Sequence, residues 1–164
     1  LTKLLSDSDD TVEVDLSGNQ VKFSFSDIVL MSKLVDGKFP DFQRVIPQNQ
    51  PKKLKLNRLL LLGSLSRASI LTSDKFRGVR WVLSDGSLKI ICSNTEQEEA
   101  QEELDVEYAG ETLDIGFNVG YLMDVLNNIN DEEIHCDLGD SASSALFTVP
   151  GKDEFKYVVM PMRI

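Results

Sequence analysis

Short runs in which apolar and polar residues alternate, broken twice by stretches of helical period, constrain this chain more than any other feature. Alternation at a period of two marks a strand with one buried face. Val12, Val14 and Leu16 alternate with Glu13 and Asp15, a turn follows at Ser17-Gly18-Asn19, and Phe23 and Phe25 alternate with Lys22, Ser24 and Ser26. Val79, Trp81 and Leu83 lead into Asp85-Gly86, a pair suited to the positive φ of a tight hairpin turn, and Leu88, Ile90 and Cys92 run out of it. The pattern recurs in Leu104/Val106/Tyr108, Leu113/Ile115/Phe117, Ile134/Cys136/Leu138, Ala145/Phe147/Val149 and Tyr157/Val159. Mostly antiparallel sheets are expected.

Two segments have a helical period instead. Asn118 is a good N-cap for a helix to about Asn128, in which Leu122, Val125, Leu126 and Ile129 fall on one stripe. Asn57 opens another, to about Leu71, whose apolar positions are spread too widely to define one face. Helix 118–128 is followed by strands near 133–138, 144–149 and 156–162, and helix 57–71 by strands near 77–84, 87–93 and 103–109. A helical turn at Leu1–Leu5 likewise precedes strands near 12–16, 20–26 and 28–35, and lone strands near 53–56 and 111–117 precede the two full helices. A unit of one helix and three strands therefore occurs three times. Two such units predict a compact α+β domain with paired helices on one side and sheet on the other. The stretch 45–51 holds two prolines and polar amides and reads as a connection. The expected organisation is a partial domain at 1–46, a linker at 47–51 and a complete domain at 52–164. Because the chain opens at Leu1, inside a helical turn, it reads as a piece of a longer protein.

The composition supports a packed core, with 41% hydrophobic and 27% charged residues in 164. A net charge of -10 disfavours one continuous basic face for nucleic acid and leaves room only for a local basic patch. No apolar run approaches the length of a membrane span, and no signal peptide is visible. Two cysteines are too few for a disulfide scaffold, which makes a reducing cytoplasm the expected compartment.

Catalytic chemistry is hard to assemble from these residues. His135 is the sole histidine and, by alternation, points away from Cys136 with no second ligand near it. Cys92 and Cys136 occupy inward strand positions and read as core. Gly139-Asp140-Ser141 lacks the flanks of a nucleophile elbow and reads as a hairpin turn. Neither a P-loop nor a dinucleotide fingerprint is present. The expectation is no catalytic residue, no metal and no cofactor. A nuclease or nucleotidyltransferase would need convergent carboxylates for Mg²⁺, whereas the acids here fall on a strand edge and in turns.

Three surface features admit two readings each. The acidic run Glu96, Glu98, Glu99, Glu102 and Glu103 fits a solvated edge, or an edge strand whose charges select a basic partner. Lys75, Arg77 and Arg80, around Phe76, fit turn charges or phosphate contacts. The C-terminus stays apolar to its last residue. A buried strand explains its valines, but Met160, Pro161 and Met162 fit an adaptable binding cleft better, since proline cannot donate to a central ladder.

Five separated motifs resemble the bacterial DNA polymerase III beta subunit family, the sliding clamps. They are the segments 32–42 (SKLVDGKFPDF), 75–80 (KFRGVR), 96–100 (EQEEA), 116–119 (GFNV) and 158–163 (VVMPMR), and the match runs through the chain in order. The resemblance implies a clamp fold of repeated helix-and-strand units, helices lining a ring and sheets outside, with this chain supplying the second half of the middle domain and the whole C-terminal domain. It implies a non-catalytic DNA polymerase processivity factor that encircles duplex DNA without sequence preference during replication. The partners implied are the DNA polymerase III alpha subunit and other polymerases, the clamp loader and mismatch-repair proteins, in the bacterial cytoplasm at the nucleoid. A generic β-rich interaction module fits composition and periodicity equally well, and only the resemblance argues against it.

The resemblance also implies sites. A hydrophobic cleft for Gln-Leu-x-Leu-Phe-type motifs, between the middle and C-terminal domains, maps to Pro40, Arg44, Val45, Ala142, Ser144, Val158, Met160, Pro161, Met162 and Arg163. Ala142 stands where a valine is common. The subunit joint of the homodimeric ring maps to Ile70, Leu71, Glu96, Glu98, Glu99 and Glu102, with Gln101 where an acid is common. Arg58, Arg67, Lys75, Arg77 and Arg80 are the DNA-facing candidates, although Leu59, Leu62 and Gly63 replace more polar family residues. Without the first domain, this chain is expected to be monomeric or weakly associating.

Overall fold

A computed structural model describes residues 2–5, 11–38, 41–72 and 77–164. The chain divides into two compact units, Leu1–Asp41 and Phe42–Ile164. This division precedes the expected linker at 47–51. A 3-10 turn at Phe42–Arg44 starts the second unit, and within that unit the Gln50 amide donates to Ser144 O at 2.8 Å.

The first unit is α1 (Thr2–Leu5) and a meander of β1 (Glu13–Ser17), β2 (Gln20–Phe25) and β3 (Ile28–Lys33). The register Val14↔Phe23↔Leu30 collects the apolar residues on one face, while Asp15, Lys22 and Met31 share the other.

In the second unit, β4 (Lys52–Asn57) leads into α2 (Arg58–Ala68) and a 3-10 turn at Ser69–Leu71, then β5 (Gly78–Ser84), β6 (Ser87–Ser93) and β7 (Glu99–Asp105). The connectivity repeats as β8 (Leu113–Asn118), α3 (Val119–Asn127), β9 (Glu133–Leu138), β10 (Ala145–Val149) and β11 (Lys152–Val159). The lone strands change places: β4 joins the second triplet in the order β11-β10-β9-β4, and β8 joins the first in the order β7-β6-β5-β8. Each half thus completes the other half's sheet, and neither can bury its core alone. Both four-stranded sheets are antiparallel throughout.

The two helices begin alike because the sequence gives both the same cap. The side chain of Asn57 accepts from Leu60 N at 3.1 Å, and that of Asn118 from Gly120 N at 2.9 Å, satisfying backbone donors that a helix start leaves open. α2 buries Leu61, Ser64, Leu65 and Ala68 and leaves Leu59 and Leu60 exposed. α3 buries Leu122, Val125 and Leu126 of the expected stripe together with Val119, and Ile129, the stripe's fourth residue, is buried just past the helix end. One core joins both sheets and both helices. Trp81 lies fully buried at its centre, edge-on to Phe117 at 5.3 Å and to Phe147 at 6.4 Å.

Two strands lie off their expected positions. β7 occupies Glu99–Asp105 instead of 103–109, so Glu99, Glu102 and Glu103 of the acidic run are themselves strand while Glu96 and Glu98 lie in the loop before it, and Val106–Tyr108 loops back to the hairpin through Val106 N–Gly86 O at 3.0 Å. β11 occupies Lys152–Val159 instead of 156–162, and Met160–Ile164 continues as an irregular tail. Among the described residues, no helix is long and apolar enough to cross a membrane.

Candidate functional site

The tail leaves β11 and settles on β8, a strand of the other sheet. Met162 N donates to Gly116 O at 2.9 Å. A Cβ at Gly116 would lie 2.5 Å from Met162 O and 2.7 Å from Ile164, so only glycine admits the tail here. By alternation, Gly78, Arg80 and Gly116 occupy the sheet face opposite to Val79, Trp81 and Phe117, the face turned away from the core. The tail therefore stitches the two sheets together on the unit's outer surface.

Beside the tail lies a groove of about 780 Å³, lined by Ala142, Ser141, Pro161, Met162, Arg163 and Ile164 and floored by Gly116. Its charged end is an ion pair. Arg80 Nε donates to both carboxylate oxygens of Asp114 at 2.8 and 3.0 Å, and Arg80 Nη2 donates to Asp114 Oδ2. This bidentate hydrogen bonding holds the Asp114 carboxyl below its ordinary range and raises the Arg80 guanidinium. The wall opposite is set by a local turn in which Asp140 Oδ1 accepts from Ala142 N at 2.9 Å and Ser143 Oγ at 2.8 Å. The same bonds lower the Asp140 carboxyl, the Ser143 hydroxyl contributing most. The expected hairpin turn at 139–141 is therefore the groove's scaffold.

Of the cleft candidates, the groove brings together Ala142, Pro161, Met162 and Arg163. Ser144 is tied by its carbonyl to Gln50. Val158 is half-buried beside Leu146 in register, Met160 is 69% exposed, and Arg44 and Val45 stand exposed at the 3-10 turn. Pro40 lies outside the described residues. Sequence reasoning missed Asp114, Gly116 and Ile164. The GFN motif carried the signal for Gly116, whereas Asp114 became visible only once β5 and β8 were paired.

The joint candidates gather around one sheet edge. β7 is the outermost strand of its sheet, α2 packs against it, and Ile70 is 79% exposed on the turn that follows α2. Asn94 organises the acidic loop, its Oδ1 accepting from Glu96 N and Glu98 N at 3.0 Å each and its Nδ2 donating to Glu98 at 2.7 Å. Glu99 is exposed, but Glu102 turns inward to Arg67.

The DNA-facing candidates are less uniform than their charges suggest. Arg58 Nε donates to Asp131 O at 2.9 Å and its Nη1 to Leu126 O at 3.2 Å, where it satisfies carbonyls near the C-terminus of α3. Arg67 makes a two-point hydrogen bond with Glu102, which lowers the Glu102 carboxyl. Arg80 belongs to the groove, on the sheet face turned away from the core, and not to the helix side. Arg77 approaches Gly120 at the start of α3, and Lys75 lies outside the described residues.

His135 is half-buried on the outer face of its sheet, its Nε2 3.4 Å from Glu133 Oε1 without hydrogen-bond geometry. Cys92 and Cys136 are buried, and desolvation pushes the Cys92 thiol up to about 11 and that of Cys136 higher still. Among the described residues, no group of His, Cys, Asp or Glu is placed to hold a metal ion.

The DNA polymerase III beta subunit, C-terminal domain, matches residues 43–163, and the central domain of the same subunit matches residues 1–41. The beta sliding clamp of Pseudomonas putida is 45% identical over all 164 residues, and that of Escherichia coli is 44% identical over the same span. In each case the chain spans 45% of the relative's length. Among solved structures, the DNA polymerase III subunit beta of Pseudomonas aeruginosa superposes with a TM-score of 0.80 at 46% identity, covering 99% of this chain and 45% of that one. The Bartonella birtlesii sliding clamp bound to griselimycin gives 0.81 at 37% identity, covering 99% of this chain and 44% of that one. With the β8-docked tail, the paired half-units and the Asn-capped helices in place, the chain belongs to the family of bacterial DNA polymerase III beta subunits, the beta sliding clamps.

Proposed function

We propose that this chain acts, with the remainder of a clamp ring, as a non-catalytic processivity factor for a DNA polymerase. A ring around duplex DNA holds a bound polymerase close to its template, so that rebinding becomes intramolecular and a distributive enzyme becomes processive. The groove is the partner site. Apolar side chains of a linear motif lodge against Ala142, Pro161 and Met162, while Arg163 pairs with a polar or acidic motif residue. Polymerases, a clamp loader and mismatch-repair proteins are the partners this reading implies, and a bacterial cytoplasm the compartment. Arg44, Val45, Ser144, Val158 and Met160 extend the site; Ile70, Leu71, Glu96, Glu98 and Glu99 form the subunit joint.

The observation that carries this reading is the tail held over Gly116, which leaves methionine and proline side chains facing an open groove in a chain of this family. Fluorescence anisotropy of a labelled Gln-Leu-x-Leu-Phe peptide tests it. The chain should bind saturably, with Kd on the order of micromolar. Met162→Ala and Arg163→Ala should each weaken binding about tenfold while the emission of Trp81 stays unchanged. Absence of saturable binding to the unsubstituted chain would overturn the reading.

A further inference from the structure

The tail separates two cavities. Across it from the groove lies a second, of about 340 Å³, bounded by Gly78, Ser93, Asn94 and Thr95 and sharing Met162, Arg163 and Ile164 with the first. We propose that this second cavity is a further subsite for the partner segment: an apolar side chain flanking the core motif enters it, and a neighbouring carboxylate pairs with Arg163. The proposal rests on the groove being the partner site.

Three observations carry it. The cavity's lining is mostly apolar, and the Ile164 side chain packs over Gly78 to form part of it. Its far wall is held in place, because Asn94 binds Glu96 N and Glu98 N, each at 3.0 Å. Arg163 lines both cavities and makes no ion pair among the described residues, in a chain whose net charge is -10. Its charge selects an acid on the partner. Glu96 and Glu98 line neither cavity, and Glu98 is tied to Asn94, so a basic flank has no counterpart there. The three tail residues span at most about 10 Å, so two or three linking residues carry a partner chain across.

The test compares the core Gln-Leu-x-Leu-Phe peptide with two extensions, Glu-Leu-Ser-Ser at its N-terminus or Ser-Ser-Leu-Glu at its C-terminus. One of the two should bind about tenfold more tightly than the core, the effect of burying one leucine. Replacing that leucine by serine should remove the gain. Filling the cavity with Ser93→Phe and Thr95→Phe together should also remove it, while core-peptide binding stays within twofold. Both extensions binding within twofold of the core would overturn the proposal, as would a gain that survives the filled cavity. A core peptide that does not bind at all is a separate result, which overturns the groove reading and this one with it.

Discussion

Asp114 grips the Arg80 guanidinium along one edge, and that geometry makes the pair sensitive to acid. A carboxyl whose folded value lies below its unfolded value stabilises the fold fully above the unfolded value, near 4, and loses that contribution as pH falls through the lowered folded value. Both groups are about half exposed, so water screens the pair and its contribution is modest. Asp114→Asn should therefore lower the urea midpoint slightly at pH 7, and the gap to the unsubstituted chain should narrow as pH falls below the ordinary aspartate range and close once the lowered carboxyl is protonated. A gap that persists in acid would show that the asparagine harms packing and not the ion pair. Arg80 also marks how far single residues can be read. Its place on the face opposite Trp81 follows from alternation alone, so its outward position was legible. Its partner was not, because residue type does not reveal which strand lies alongside, and a cation near Lys75 and Arg77 resembled a phosphate contact.

Elements were legible where alternation was clean. β6 and β9 lie where their patterns put them, since Leu88, Ile90 and Cys92, like Ile134, Cys136 and Leu138, point to a buried side without interruption. β7 was displaced because its inward residues are Ala100, Glu102 and Leu104, and a glutamate that turns inward to meet Arg67 breaks the apolar code. The exchange of β4 and β8 between sheets was not legible, because each pairs with a strand of the other half and no local signal names the partner. The helix caps were legible and can be compared. Asn118 serves two donors, Gly120 N and Tyr121 N, whereas Asn57 serves Leu60 N and also donates through Nδ2 to Glu132 at 3.1 Å. Asn118→Ala and Asn57→Ala should each cost about 1 kcal/mol in chemical denaturation followed by Trp81 emission. Glu132→Ala should add to Asn118→Ala but not fully to Asn57→Ala, since only the second pair shares a contact. Full additivity in both double variants would show that the Asn57–Glu132 bond contributes nothing.

For the molecule as a whole, the proposed DNA partner must be reconciled with a net charge of -10. Affinity for duplex DNA grows with the number of phosphates that cations neutralise, and each neutralised phosphate steepens the dependence of log K on log salt by about 0.9. Arg58 is engaged near the C-terminus of α3, Arg67 is paired with Glu102, and Arg80 lies on the outer face. The helices also present Leu59, Leu60 and Tyr121 to solvent. Such a surface gives a polyanion little to hold, which suits the sliding role proposed for the ring. The chain should accordingly bind a short duplex weakly, with a shallow salt dependence. Glu102→Gln removes the charge that neutralises Arg67 and should both tighten binding at low salt and steepen the slope by nearly one unit. Arg80→Ala should leave DNA binding unchanged while weakening the peptide. If Glu102→Gln leaves the slope unaltered, Arg67 does not reach the phosphates, and any DNA contact of this unit's helix side is made without it.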